Sequence, residues 1–396
     1  MRLSNTSKNL QASPIRKFIP YANKAKADGI QVYHLNIGQP DVKTPQEFFD
    51  AIRNYQVDTV SYADSNGLLE LREAIVRYYD RFKLGFQTED IIINNGGSEA
   101  LQMVFTALCD PGDEIIVIEP FYTNYNSFAV LNGVNMVAVT SHSENGFALP
   151  AKSEFEKRIN DKTRAILISN PSNPTGTTYT KEELSVLKDL ALEHELFIIS
   201  DEVYREFTYD NQIATSMATF QEIEDRVIII DSISKRFSAC GARIGNVACK
   251  NREVMETLLK FAQGRLCCPT LEQIGALALY EMPENYFDEV LVEYENRRNV
   301  LYDGLMKIDG VKCKKPAGAF YMVVDLPVDD AEDFVIFMLK DFQDKKETLM
   351  LTPAEGFYKT KGLGKQQVRM AYVLEAHKLE RCAELLEKGL EAYRNR

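Results

Sequence analysis

At 396 residues the chain exceeds what one ordinary hydrophobic core supports, and two domains are expected. Its formal net charge of −12 argues against non-specific binding of nucleic acid or of an anionic membrane surface, and 45% hydrophobic with 26% charged residues is the balance of a globular protein. No run of 18 apolar residues occurs, so no transmembrane helix is expected.

In chain order, Met1 to Pro20 is polar and interrupted by Pro14, without the apolar stretch of a signal peptide. The seven cysteines lack metal-ligand spacing and the four histidines lie far apart, so reduced thiols in a cytoplasmic protein are expected, with no metal. Short apolar runs rich in β-branched residues come next, at 90–93, 114–118, 165–169, 196–200 and 226–230. Stretches at helical spacing, such as 98–108 and 181–194, lie between them. This alternation predicts an α/β domain over 45–285, built on a mostly parallel sheet flanked by helices. Beyond it, Phe287, Val290, Leu291, Tyr294, Leu301 and Leu305 keep the spacing of one long helix. Strand candidates lie at 319–324 and 367–373, and Leu379, Cys382, Leu386, Leu390 and Tyr393 mark a closing amphipathic helix. With residues 1–44 these form a smaller α+β domain, 286–396.

The polar residues just after each run carry the chemistry. Ile93 leads into Asn-Asn-Gly-Gly-Ser, Ile118 into Glu-Pro-Phe-Tyr, Ser169 into Asn-Pro-Ser-Asn-Pro-Thr-Gly, Ser200 into Asp-Glu-Val-Tyr, and Ile230 into Asp-Ser-Ile-Ser-Lys. Open α/β sheets bind ligands at the carboxyl ends of their strands, and five polar ends can share one crevice. Lys235 sits beside Ser232 and Ser234, with Arg243 eight residues on. A lysine alone is usually a solvated charge, but this company suits a phosphorylated aldehyde: an amine to condense with the carbonyl, hydroxyls and a guanidinium to hold the phosphate. Asp201 ends an apolar strand, where a carboxylate is costly unless partnered. A protonated pyridine nitrogen would be such a partner, and the alternative is a helix N-cap. Tyr204 could reach the ring's phenolic oxygen. Asn173 opens the second of two close Asn-Pro pairs, which force an extended turn that presents its amide. Gly97 and Ser98 open a helix whose backbone N–H groups can approach a phosphate, unless Ser98 is simply the cap.

Together these residues resemble the class I/II aminotransferases, pyridoxal-phosphate enzymes of the aspartate-aminotransferase-like fold known as fold type I. The resemblance runs from Ser13-Pro-Ile-Arg16 to Arg369 with the motifs in family order. It implies that Lys235 carries pyridoxal 5'-phosphate and acts as general acid and base, that Asp201 pairs with the ring nitrogen, and that Tyr204 and Asn173 bind the phenolic oxygen. It further implies phosphate contacts from Gly97, Ser98, Ser232 and Arg243, with Ser234 nearby, and a ring stacked on Tyr122. Tyr62 resembles the tyrosine that crosses to the partner's phosphate in a homodimer with shared sites. Arg369 and Gly38 match positions that hold the substrate α-carboxylate. Glu355 departs from the family's usual Pro-Gly pattern near the substrate mouth.

The activity implied is transfer of an amino group from an L-amino acid to a 2-oxo acid, such as 2-oxoglutarate, with ping-pong kinetics. Carbon–sulfur β-elimination is the alternative on the same scaffold, since fold does not fix reaction. A ligand-sensing regulator would need an N-terminal DNA-binding domain, for which the short stretch before Gly38 leaves no room. Arg265 is a candidate clamp for a distal substrate carboxylate, weighed against a purely structural role.

Overall fold

The computed structural model describes residues 2–10 and 13–396. The strands are β1 (Gln31–His34), β2 (Ile91–Asn94), β3 (Glu114–Glu119), β4 (Asn135–Thr140), β5 (Thr163–Ser169), β6 (Phe197–Asp201) and β7 (Val227–Ser232). They continue with β8 (Gly245–Cys249), β9 (Lys312–Cys313), β10 (Tyr321–Asp325), β11 (Glu347–Met350), β12 (Thr352–Pro353) and β13 (Gln367–Ala371). Seven of them make the principal sheet in the order β2-β8-β7-β6-β5-β3-β4. The β7–β6, β6–β5, β5–β3 and β3–β4 pairs are parallel, and β8 runs antiparallel to both neighbours. Strands β2, β7, β6, β5 and β3 therefore point the same way, and their polar ends emerge on one edge.

Both faces of this sheet are buried, which is why its strands are continuous apolar runs rather than alternating ones. Successive side chains still part to opposite sides. Ile91, Ile93, Ile116 and Ile118 join a core under helices Leu69–Asp80, Lys181–Glu193 and Thr270–Tyr280. Ile92, Ile115 and Val117 join a second core under Gly96–Leu108, Asn124–Asn132 and Arg252–Arg265. Helix starts obey local chemistry: Thr180 and Glu183 cap each other's backbone N–H at 3.2 and 2.9 Å, and Asn251 caps Arg252–Arg265.

A third core gathers Tyr294, Leu301 and Leu305 of helix Tyr286–Leu305 with Phe334 and Met338 and with Leu379, Leu386 and Leu390 of helix Ala376–Arg394. It packs on the four-stranded sheet β12-β13-β10-β9 and the parallel pair β1-β11. The expected runs reappear within a few residues of their predicted limits. Strands β4 and β8, absent from the sequence-level expectation, complete the large sheet. Among the described residues no helix is long and apolar enough to cross a membrane.

One carboxylate joins the two parts. Glu119, fully buried at the end of β3, accepts from the Thr140 hydroxyl at 2.7 Å and from the Lys359 and Thr360 backbone N–H groups at 2.6 and 3.0 Å. Phe121 N–H donates to the Phe357 carbonyl at 2.9 Å alongside it.

Candidate active site

At the edge where the strand ends meet lies a cavity of about 530 Å³. Every sequence-level candidate lines it except Tyr62 and Arg265. A wider polar groove of about 940 Å³, lined by residues such as Lys312, Asp325 and Arg394, contains none of them.

Lys235 projects from the single turn Ile233–Arg236 that directly succeeds β7. Ser232 sets that turn by accepting from the Ser234 N–H at 3.0 Å. The Lys235 amine donates to the Gly38 carbonyl at 2.9 Å and lies 3.9 Å from the Cys240 sulfur. Gly38 has no room for a side chain, because a Cβ there would overlap the Tyr321 hydroxyl.

Asp201 ends β6 and caps no helix, so its alternative role as an N-cap is not realised. Its Oδ2 accepts from the Tyr125 hydroxyl at 2.6 Å, while Oδ1, equally buried, has no partner among the described residues. Burial pushes this carboxyl up to about 6, against the lowering effect of Tyr125 and the Val203 N–H. Tyr204 is buried with its hydroxyl 3.0 Å from that of Tyr321, and burial raises its pKa well above the ordinary value. Tyr122 is held by the Asn124 amide, which donates to its hydroxyl at 2.8 Å.

At the opposite end, glycines let the backbone close around Arg243. A Cβ at Gly96, whose φ is +74, would collide with the Arg243 guanidinium. A Cβ at Gly245 would come within 2.8 Å of the Gly97 nitrogen. Arg243 donates to the Cys240 carbonyl at 2.9 Å and approaches that of Asn95 at 3.4 Å. Ser98 stands in the first turn of helix Gly96–Leu108 but does not cap it; Asn95 holds the cap position.

Arg369, on β13 of the four-stranded sheet, reaches into the cavity and is 2% exposed. It donates to the Asn173 amide oxygen at 3.0 Å and the Asn36 carbonyl at 2.7 Å, and its buried Nε has no partner among the described residues. The guanidinium lies 4.5 Å from the Tyr321 ring centroid and 5.0 Å from that of Phe357. Burial lowers its pKa, and the neighbouring phenols Tyr321, Tyr204 and Tyr122 oppose that. A carboxylate would complete its coordination.

Two candidates stand apart. Tyr62 is 79% exposed. Arg265 spends its guanidinium within its own chain, on the carbonyls of Ser65 at 3.2 Å and Ile93 at 3.1 Å, with Glu99 at 3.5 Å. Glu355 lies exposed in the turn Glu355–Phe357, outside the cavity lining. Conversely, Tyr125 and Tyr321 touch site residues without having been candidates. Tyr125 could have been suspected, since it stands at helical spacing from Tyr122; Tyr321 carries no motif.

The donor set suits pyridoxal 5'-phosphate. A buried carboxylate with one open oxygen matches a protonated ring nitrogen, the amine matches an aldehyde, and the glycine-lined end with Arg243 matches a phosphate. The apolar side chains of Val203 and Ile230 line the same space for a flat ring.

Comparison with known proteins agrees. The sequence profile of the family "Aminotransferase class I and II" matches residues 30–386. The aspartate aminotransferase of Bacillus subtilis is 31% identical, covering 99% of this chain and 100% of its own. That of Thermotoga maritima is 33% identical, covering 96% and 97%. Among solved structures, an alanine aminotransferase from Pyrococcus furiosus superposes with a TM-score of 0.90 at 31% identity, over 99% of this chain and 100% of that one. A variant of Thermus thermophilus aspartate aminotransferase also reaches 0.90, at 27% identity over 98% and 100%. With this cavity and a profile match over nearly its whole length, the chain belongs to the class I and II aminotransferases, fold type I enzymes that depend on pyridoxal phosphate to move an amino group between an amino acid and a 2-oxo acid.

Proposed function

We propose that this aminotransferase uses 2-oxoglutarate as an amino acceptor, works as a cytoplasmic homodimer with shared sites, and divides its labour among the cavity residues. The observation that carries this division of roles is the buried Asp201 carboxylate, which lines the cavity holding Lys235 and Arg369 and keeps one oxygen without a hydrogen-bond partner among the described residues. Pyridoxal phosphate, when bound, supplies an aldehyde for the amino group and a ring that takes up electrons from the substrate α-carbon.

Lys235 would hold the cofactor through its amine, and the same amine, when free, would serve as the base and acid that takes a proton from the substrate α-carbon and gives it back. The Gly38 carbonyl keeps that amine at the cavity wall. Asp201 keeps the ring nitrogen's proton in place, with Tyr125 fixing the carboxylate's other oxygen. Tyr204 and Asn173 would bind the cofactor's phenolic oxygen, and Tyr122 would pack against its ring. Gly97, Ser98, Ser232, Ser234 and Arg243 bind the phosphate. Arg369 grips the α-carboxylate as a fork, beside Gly38. The small part, 1–44 with 286–396, thus brings Arg369 to a lysine held by the large part, 45–285.

Tyr62 is exposed, as are Val60 at 59% and Leu266 at 51%, and Thr270 donates to the Ser61 carbonyl at 3.2 Å, tying these segments together. A second copy covering this apolar rim would bring Tyr62 to its phosphate. The test is a screen of amino donors against 2-oxoglutarate and pyruvate with the purified enzyme. Transfer to 2-oxoglutarate is expected. Release of pyruvate from cystathionine without any 2-oxo acid, and no transfer, would refute the proposal.

A further inference from the structure

Four cations line the cavity, Arg16, Lys235, Arg243 and Arg369, against a single carboxylate, Asp201. The side chains of Lys235, Arg243 and Arg369 contact carbonyls, an amide and a thiol, not carboxylates. Arg16 makes no ion pair and no side-chain hydrogen bond among the described residues, and its undescribed neighbours Gln11 and Ala12 are uncharged. Such an excess of positive charge is an inventory of the anions the cavity is built to hold.

The proposed roles account for three of the four. By position, Arg243 would serve the phosphate and Arg369 the α-carboxylate, and Lys235 would be taken up in its bond to the cofactor. Asp201 is matched by the ring nitrogen. Arg16 is the one lining cation to which no role has been given, and its guanidinium has no partner among the described residues.

Its position is constructed rather than incidental. The Arg16 and Lys17 N–H groups donate to the Ser13 carbonyl at 3.1 and 3.2 Å, folding 13–17 into a turn. One end of the turn is pinned by Pro14, which packs so closely on Gly356 that a Cβ there would come within 2.7 Å of it. The other end is pinned by Phe18, 1% exposed in the core. Gly356 precedes Phe357, whose ring covers the Arg369 guanidinium. The turn bearing Arg16 is therefore seated against the segment that shields the α-carboxylate site. Burial pushes the Tyr122 phenol up to about 12, and the Arg16 charge is near enough to work against it. Ile15, Ile19 and Ile37 line the same mouth and would pack on methylenes lying between two carboxylates.

We propose that Arg16 determines specificity for dicarboxylic substrates by pairing with the distal carboxylate of glutamate or aspartate and of their 2-oxo acids. This rests on the aminotransferase function and on the role given to Arg369. Arg265, engaged with its own chain's carbonyls, is not needed for this.

The test uses the cofactor-loaded enzyme and its Arg16→Ala and Arg16→Lys variants. The ratio of kcat/KM for glutamate to that for alanine is measured, together with calorimetric binding of glutarate and of butyrate. In Arg16→Ala the ratio should fall about tenfold and glutarate binding should weaken by a similar factor, as loss of a charged hydrogen-bond partner does. Butyrate binding should change far less, and Arg16→Lys should recover part of the loss. Equal losses for glutamate and alanine, or an unchanged ratio with unchanged glutarate affinity, would overturn the assignment. Absence of transfer from either donor in the wild-type enzyme would instead overturn the functional reading, and glutarate binding would still decide for or against Arg16.

Discussion

Replacing Asp201 by Asn separates the cost of this carboxylate from its use. In the cofactor-free protein the group is buried with one oxygen unpartnered among the described residues, and its pKa is pushed from 3.8 up to about 6. A folded-state pKa above the unfolded one means that stability is fullest at low pH and is lost as pH rises through the folded value. A shift of roughly 2 units corresponds to about 3 kcal/mol of penalty at pH 8, and to about half that at pH 5. Asparagine keeps an oxygen for the Tyr125 hydroxyl and carries no charge. Cofactor-free Asp201→Asn should therefore be more stable than wild type by up to about 3 kcal/mol at pH 8, with the gap narrowing at pH 5. With pyridoxal phosphate bound the order should reverse, because the wild-type carboxylate then has its cation. Cofactor affinity of the variant should drop about tenfold or more, and turnover by roughly 10²–10³, as when an aligned electrostatic partner is removed. Urea unfolding of both proteins, with and without cofactor, at pH 5 and 8 measures each of these gaps. If the two cofactor-free proteins show the same stability at both pH values, the open carboxylate carries no penalty and its assignment to the ring nitrogen loses its physical basis.

Borohydride should fix the cofactor irreversibly to Lys235, and Lys235→Ala should still bind it non-covalently while losing turnover by orders of magnitude; peptide mapping and steady-state rates check both, and normal turnover in the variant would exclude the lysine. Co-expression of Tyr62→Phe with Lys235→Ala should restore activity in mixed dimers, because one of the two shared sites then carries neither lesion; a fully active monomer in sedimentation experiments would contradict the shared site. Arg265→Ala should cost stability, on the order of 2 kcal/mol from the lost carbonyl contacts, and lower glutamate and alanine turnover equally; a selective loss for glutamate would make Arg265 the distal clamp instead of Arg16.

The strands with polar ends were legible because parallel strands buried on both faces leave unbroken β-branched runs, and because ligand-binding sheets concentrate polar residues where those runs stop. Strand β8 was not, since Gly245-Asn246-Val247-Ala248-Cys249 has a glycine and an asparagine where a run is expected; Asn246 is tolerated in the interior because its amide donates to the Tyr79 hydroxyl at 2.8 Å. Strand β4, Asn135–Thr140, begins polar and partly exposed at the sheet edge, which weakens its pattern. Apart from Arg16, the cavity residues that carry charge could be picked from sequence, since each is costly without a ligand or a close contact. Tyr125 and Tyr321 could not be assigned, because a buried phenol's role depends on which hydroxyl or carboxylate faces it, a fact of tertiary packing. The same holds for Arg265, whose partners Ser65 and Ile93 lie far away along the chain.

The clearest physical sign of what this site is for comes from two adjacent acids at the end of β6. Glu202 is 1% exposed and fully answered: Ser200, Ser216 and the Met217 N–H donate to Oε1 at 2.8, 2.9 and 3.2 Å, and Arg205 donates to Oε2 at 3.1 and 2.5 Å. Arg205 and Arg236 also reach the buried Asp231, at 3.4 and 2.7 Å, so the charges beneath the strand ends form a closed lattice. Asp201, one residue before Glu202, is excluded from it: one oxygen goes to Tyr125, and the other makes no hydrogen bond among the described residues, with only the Val203 N–H near enough to favour its charge. The means of satisfying a buried acid are thus at hand, and are spent on the neighbour. Asp201, the last residue of β6, lines the cavity, while Glu202, just beyond the strand, turns to the lattice. Pairing Asp201 internally would make the cofactor-free protein more stable but would leave a ring nitrogen without its counter-charge. The lattice does the complementary task, since a densely ion-paired floor under β6 and β7 keeps the Asp201 carboxylate and the Lys235 amine in fixed relation through both halves of the exchange.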